Sequence, residues 1–331
     1  MVISEKLGRK NRLAEQTPQR QMPLRRQGFF QYFRHNYSLY IMLLPALLFL
    51  VVYKLLPLYG LTIAFKDFDI FLSENAFMSI VESPWTGLSH FRRLFANPDF
   101  MKVMRNTLII SAYKILFLFP APIILAILLN ELKNKPFKKV IQTVLYMPHF
   151  LSWVVIFGLF FTLLSADGMI NQFIKSMGGE EILFFSSNKI FRGLLVFSEG
   201  WKEIGWNTIV YLAALTSIDT EQYEAAVIDG ANRFHQILYI TLPNLVPIIA
   251  LMLTMRVSSV LNAGYEQILV MYNPAVYECA DIIQTYVYRI GMGQMDFSLG
   301  TALGAFESVV AFILVISCNT FSKKVLGRSI W

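Results

Sequence analysis

An all-α membrane protein with six transmembrane helices is the fold class this sequence predicts, and three observations predict it. Of the 331 residues, 55% are apolar and 15% charged, whereas a soluble domain carries about 25% charge. Six stretches are long and apolar enough to cross a bilayer core about 30 Å thick, which takes about 20 residues each. Lys and Arg gather at both chain ends and in one internal segment, the asymmetry that orients membrane helices. The period-2 alternation of a membrane barrel is absent, and a helix satisfies its own backbone groups in hydrocarbon.

The chain opens with a basic tail, residues 1–36, whose eight Lys or Arg against Glu5 and Glu15 account for nearly all of the net charge of +7. Charge of this kind fits a solvated cytoplasmic arm beside anionic lipid better than a nucleic-acid contact, and no nucleic-acid partner is expected. The membrane domain, 37–331, begins with an apolar run at 38–64. This run exceeds a signal-peptide core and no small-residue cleavage site follows it, so it is expected to stay in the mature protein. Further runs occupy 103–131, 141–165, 193–218, 244–264 and 300–320.

Lys133, Lys135, Lys138 and Lys139 lie between the second and third runs, and Lys323, Lys324 and Arg328 close the chain. With the basic tail, they assign those three segments to the cytoplasm. An even number of spans then puts both termini on that side. The outer segments, 65–102, 166–192 and 265–299, are rich in aromatics and mixed in charge. They read equally as solvated cover or as contact surface for a large extracytoplasmic partner. Cys279 falls outside and Cys318 near the inner end of the sixth run, which separates them too far for a disulfide. With no CxxC and no His cluster, no metal or redox site is expected.

One cytoplasmic segment breaks the charge rule, because 219–235 carries Asp219, Glu221, Glu224 and Asp229 against Arg233. Tyr223, Val227, Ala231, Phe234 and Leu238 recur at spacings of three and four and predict an amphipathic surface helix. Gly230 should bend it, and Pro243 should stop it as the chain enters the fifth run. A lipid-surface helix would favour Lys and Arg on its polar face, and this one is acidic, which argues for docking onto protein.

The same segment, DTEQYEAAVIDGANRFHQILYITLPNLVP, resembles the EAA loop of binding-protein-dependent ABC importer permeases of the maltose-permease type. It supplies Glu224, Ala225 and Ala226, then Asp229 and Gly230, then Ile240, Thr241, Leu242 and Pro243 at that family's spacing, with Phe234 between. WTGLSHFRRLFANPDF and WKEIGWNTIVYLAALTSID are similar to the same family, so the likeness covers most of 36–331. The stretch NAGYEQILVMYNPAVYECADIIQTYVYRIG and the terminal Trp331 are more specifically similar to its polysaccharide, LplB-like branch, which includes the alginate importer. The resemblance implies the type I ABC importer permease fold and a bacterial cytoplasmic-membrane location. It also implies a second related permease as heterodimer partner, two copies of an ABC ATPase, and an extracytoplasmic solute-binding protein. The implied cargo is an oligosaccharide, uronate-containing in some members.

No G-x-x-x-x-G-K-[ST] loop, H-E-x-x-H or G-x-S-x-G is present, so the chain is expected to hold no cofactor and to be no enzyme alone. ATP and Mg would be bound by the partner ATPase. A secondary transporter or channel is the competing reading, since charges inside spans also serve ion coupling. A lipid-linked membrane enzyme is a second, but the outer carboxylates are scattered.

Ionisable and polar residues within or beside the runs are the candidates for the translocation path: Lys114, Trp201, Lys202, Glu203, Asn207, Tyr211, Arg256, Asn262, Tyr265 and Glu307. At about 1.5 Å per residue, Arg256, Glu307 and Glu203 share one level just past the midplane. Arg256 is therefore expected to pair with Glu307 or Glu203, with Lys202 and Lys114 near it. Such a cluster reads either as a structural lock between the fourth, fifth and sixth runs or as a path-facing site. Trp153, Trp201, Trp206 and Tyr211 are explained by packing more readily than by sugar binding.

Overall fold

A computed structural model describes residues 36–326, so most of the basic tail, together with Arg328 and Trp331, lies outside the described residues. The chain divides into two units, one ending at Tyr59 and one beginning at Gly60. The first holds helix α1 (Tyr37–Leu50), with Pro45 inside it and no residue buried. A π turn, Val51–Leu55, continues α1, and a 3-10 segment, Leu56–Phe65, carries the chain onward.

In the second unit, α2 (Ala76–Glu82) and α3 (Ser89–Ala96) precede the long helix α4 (Pro98–Leu118). The α4 start is built from local chemistry: Asn97 accepts the Asp99 N–H at 2.9 Å and Pro98 occupies the first turn, where no donor is needed. After Phe119, α5 (Pro120–Glu131) completes the second predicted run.

The third predicted run is not one helix. Helix α6 (Lys135–Tyr146) gives way to a 3-10 turn, Met147–Phe150, around Pro148, and Ser152 caps a new helix, α7 (Trp153–Leu164), which α8 (Met169–Ser176) follows. Proline has no N–H to donate and crowds the preceding turn, so apolar composition alone could not hold the helix through it.

Helix α9 (Phe191–Thr216) is 26 residues long and packs on α4, α5, α6 and α12. Helix α10 (Thr220–Ile228) and the short α11 (Arg233–Gln236) form the loop predicted to be cytoplasmic, and a π turn, Ile237–Thr241, joins α11 to α12 (Leu242–Ser258). Pro243 does not stop the helix as expected, because helix runs unbroken over Arg233–Ser258. The carbonyl four residues before Pro243 belongs to Tyr239, inside the wider π turn, which relieves the usual ring clash. Pro57 follows the π turn of the first span in the same register.

The fifth predicted run ends early, at Ser258, and 259–264 is a turn containing Ala263 at φ 48° and Gly264 at φ 84°. The expected outer loop after it is folded: α13 (Tyr265–Met271), α14 (Tyr277–Ala280) and α15 (Ile283–Tyr288) bury Ile268, Met271, Ile282 and Ile283. Solvated cover is therefore not its role. Helix α16 (Phe297–Leu326) closes the described chain and packs on α3, α12 and α15.

Five stretches are long and apolar enough to cross a membrane: Tyr37–Phe65, Pro98–Glu131, Trp153–Ser176, Arg233–Ser258 and Phe297–Thr320. Helix α9, the fourth predicted span, is absent from that set. It is long enough, but it carries Arg192, Glu199, Lys202 and Glu203. The described residues contain no strand, only one isolated bridge between Lys66 and Trp85.

Candidate functional site

Two of the charges that set α9 apart, Glu199 and Glu203, line a cavity of about 320 Å³ between α4, α9, α12 and the 259–264 turn. At its centre Glu199 holds two cations: Lys114 Nζ lies 2.5 Å from Oε2 and the Arg256 guanidinium 2.6 Å from Oε1. Lys114 also donates to the Ala263 carbonyl at 2.8 Å and to Gln267 Oε1 at 2.6 Å, so three oxygens surround its buried ammonium. Gln267 is fixed in turn by donating to the Leu195 carbonyl and Ser198 Oγ, both at 2.7 Å. Gly264 closes over this group with a left-handed backbone, and a Cβ there would overlap the Lys114 ammonium. Removing charges from water is costly unless each is paired and hydrogen-bonded, and the buried Lys114 ammonium meets that condition.

Arg256 is the exception within the network. Its side chain is 36% exposed and makes one hydrogen bond, to Glu199, out of five available donors. It faces the cavity together with the amides of Asn207 and Asn262, the hydroxyls of Ser111 and Ser259, and the carboxyls of Glu203 and Glu266. A second cavity of about 210 Å³ shares Glu199, Asn207 and Arg256 and is walled by Tyr211, Met252 and Met255. Polar, hydroxyl-matching groups beside an aromatic wall, Trp153, suit a polyhydroxylated ligand.

The predicted pairing of Arg256 with Glu307 or Glu203 is corrected here, since Glu199 takes it. Glu203 lies 2.9 Å from His149 Nδ1, on a ring stacked on Trp206 at 4.2 Å. Glu307 accepts from Gln284 Nε2 at 2.9 Å instead of from a cation. Lys114, Glu203, Asn207, Arg256 and Asn262 converge on the main cavity and Tyr211 on its neighbour. Tyr265 and Glu307 line a separate groove. Lys202 does not line this cavity: its ammonium donates to the His149 and Leu151 carbonyls at 2.6 and 2.7 Å, satisfying backbone freed where α6 breaks. Trp201 faces another groove, beside Tyr113 and Phe117. Glu199, Ser111, Gln267 and Gly264 are the residues the sequence reading missed. The signal for Glu199 was present, because Glu199, Glu203 and Asn207 recur every four residues and share one face of α9.

In the 219–243 loop, Asp219 caps α10 by accepting the Glu221 N–H at 3.0 Å, and Asn232 caps α11 by accepting the His235 N–H at 2.9 Å. Gly230 makes the bend between them at φ 78°, where L side chains are strained. Tyr223 Oη and Thr241 Oγ1, 2.9 Å apart, tie α10 to the π turn that follows α11. The expected single apolar stripe is thereby split: Tyr223 turns inward, while Val227, Ile228, Phe234 and Tyr239 are exposed. Glu224 is exposed beside them.

Comparison with known proteins places this geometry in context. The profile of a family described as binding-protein-dependent transport system inner membrane component matches residues 118–330. Protein LplB of Bacillus subtilis (strain 168) is 44% identical over 287 residues, covering 86% of this chain and 88% of that protein. The polygalacturonan/rhamnogalacturonan transport system permease protein YteP of the same strain is 42% identical with the same coverage. A chain in the crystal structure of a bacterial ABC transporter involved in the import of the acidic polysaccharide alginate superposes with a TM-score of 0.83. It is 37% identical, over 90% of this chain and 99% of that one.

Proposed function

The chain belongs to the family of binding-protein-dependent transport system inner membrane components, and from that premise we propose that it is a permease subunit of an ATP-driven oligosaccharide importer. The observation that carries this reading is a single helical rod, Arg233–Ser258, with the exposed cytoplasmic loop at one end and Arg256 in the cavity wall at the other. Arg233 and Arg256 lie about 35 Å apart along it at 1.5 Å per residue. Displacement of the loop by a docked ATPase then moves Arg256 against Glu199, and the cavity wall changes with it.

In this reading α9 is the remaining span, giving six, and its charges are tolerated because they face the aqueous path. Both termini are cytoplasmic, on the strength of the Lys and Arg distribution. Ile228, Phe234 and Tyr239 dock in a groove of the ATPase as a helix-in-groove contact, with Glu224 at the rim. A second related permease supplies the other half of the path, and a solute-binding protein delivers the cargo. The contact with a solute-binding protein is supported by the structure of the alginate ABC transporter in complex with an alginate pentasaccharide-bound periplasmic protein, in which a chain is 36% identical to this one. The free donors of Arg256 suit a uronate carboxylate, in keeping with the acidic polysaccharides named for that importer and for the polygalacturonan permease.

The test is uptake by the complete transporter in proteoliposomes, with labelled oligogalacturonides and galacto-oligosaccharides. Accumulation with ATP and none with a non-hydrolysable analogue is expected. Accumulation that persists with the analogue would instead support a secondary transporter.

A further inference from the structure

Glu307 sits in the interior of α16, ten residues or about 15 Å from Phe297. Among the described residues no cation pairs with it, and its partner is the Gln284 amide. A carboxyl group at this depth is costly against lipid tails, whether charged or neutral, and belongs where water or polar ligand groups reach it. The surface around it is an open groove of about 670 Å³. Gly300 and Gly304 form a low floor, and Tyr265 and Tyr288 form a wall, with Tyr288 47% exposed. Volumes of this order accommodate small ligands.

This groove connects to the main cavity through a polar chain. Asn262, in the cavity wall, donates to Gln284 Oε1 at 3.2 Å, and Gln284 donates onward to Glu307 Oε1 at 2.9 Å. Asn262 also accepts the Gly264 and Tyr265 N–H groups at 3.2 Å, so the turn that covers Lys114 and the ring at the groove edge are set by one side chain. An acceptor carboxyl, an amide, the exposed ring of Tyr288 and the half-buried ring of Tyr265 match the hydroxyls and the C–H face of a sugar. No Lys or Arg lines the groove to hold a uronate carboxylate.

We propose that the groove around Glu307 is a second carbohydrate subsite, which takes a neutral sugar unit of a cargo chain whose neighbouring unit lies at Arg256. The proposal rests on the oligosaccharide reading above. It makes the path on this chain longer than one cavity and assigns the two ends different chemistry.

The experiment uses the complete transporter with its binding protein and ATPase in proteoliposomes, with labelled galacto-oligosaccharides and oligogalacturonides from disaccharide to hexasaccharide. Glu307→Gln keeps the side-chain shape and removes the charge-assisted acceptor. The half-saturating concentration for chains of tetrasaccharide length and above that contain neutral units is expected to rise about tenfold, the loss of one hydrogen bond to a charged group. Tyr288→Ala, at an exposed position, should act in the same direction and decides the matter if Glu307→Gln lowers the amount of assembled complex. Unchanged half-saturation in both variants overturns the proposal. So does loss of assembly in both without such a change, which would mark the groove as a seat for another subunit, and so does wild-type uptake restricted to all-uronate chains. Failure of the oligosaccharide reading itself shows separately, as absence of uptake of either series by the wild type.

Discussion

The guanidinium of Arg256 rests on Glu199, 2.6 Å away, and the same carboxylate holds Lys114. The two cations differ in freedom: Lys114 is enclosed by three oxygens, whereas Arg256 is exposed to the cavity with donors to spare. Glu199 is therefore the fixed point that ties α4, α9 and α12 together, and Arg256 is the member able to exchange partners.

Substitution separates these roles. Glu199→Leu leaves Lys114 buried without its counter-charge, at a cost of about 3–5 kcal/mol, and should greatly lower assembled complex in the membrane. Arg256→Met leaves the Lys114–Glu199 pair intact, so assembly should persist while uptake falls. Quantifying complex by affinity capture alongside uptake reads both effects. Normal assembly of Glu199→Leu would refute the anchoring role.

Gly264→Ala should be as damaging as a charge substitution, although it changes one methyl group. Its φ of 84° costs a non-glycine residue about 1–2 kcal/mol, and the added Cβ overlaps the Lys114 ammonium. A lower thermal midpoint of the purified complex in detergent is expected. Ala263 tolerates its own left-handed φ of 48°, so Ala263→Gly should leave that midpoint unchanged or raise it by relieving strain.

How much of this was readable from sequence depends on the kind of signal. The bend in the 219–243 loop was readable because Gly230 acts locally, through a backbone conformation that other residues adopt at a cost. The continuation through Pro243 was not, since it depends on a π turn that no propensity announces. The break at Pro148 was hidden by an apolar run whose composition suited a helix on either side. The Arg256 partner was missed because a depth counted at about 1.5 Å per residue could not separate two carboxylates one turn apart on the same face of α9. Glu199 and Glu203 differ by about one turn, yet Glu199 meets α12 and Lys114 while Glu203 turns to His149. The 265–299 segment contains Glu266, Glu278, Asp281 and Asp296 and so resembled a solvated loop, but Asp281 is buried against Arg289 and the segment forms core.

The folded state of that segment changes what its cysteine should do. Cys279 is 5% exposed, and burial pushes its thiol above the ordinary range, with Arg192 opposing in part. Less thiolate forms at neutral pH, and access is poor. A membrane-impermeant maleimide added to intact cells should therefore leave Cys279 unlabelled until the protein is denatured. Rapid labelling from outside in the native state would show that 265–299 is not packed as described.

Replacement of Gly230 and of Glu224 tests the docking proposed for the 219–243 loop. In this chain a side chain at Gly230 would meet nothing within 4 Å, so Gly230→Leu carries only the backbone cost of a φ of 78°, about 1–2 kcal/mol. The permease itself should then still fold and reach the membrane. A leucine projecting from the bend beside Ile228 and Phe234 would, however, hold a docked ATPase away. Glu224→Gln removes a charge at a solvated rim, where an ion pair contributes about 0–1 kcal/mol. Copurification of the ATPase should accordingly be lost with Gly230→Leu and only weakened with Glu224→Gln, with permease levels matched by immunoblot. If Gly230→Leu retained the ATPase and cargo-stimulated ATP hydrolysis, the docking surface would have to lie elsewhere on the cytoplasmic face.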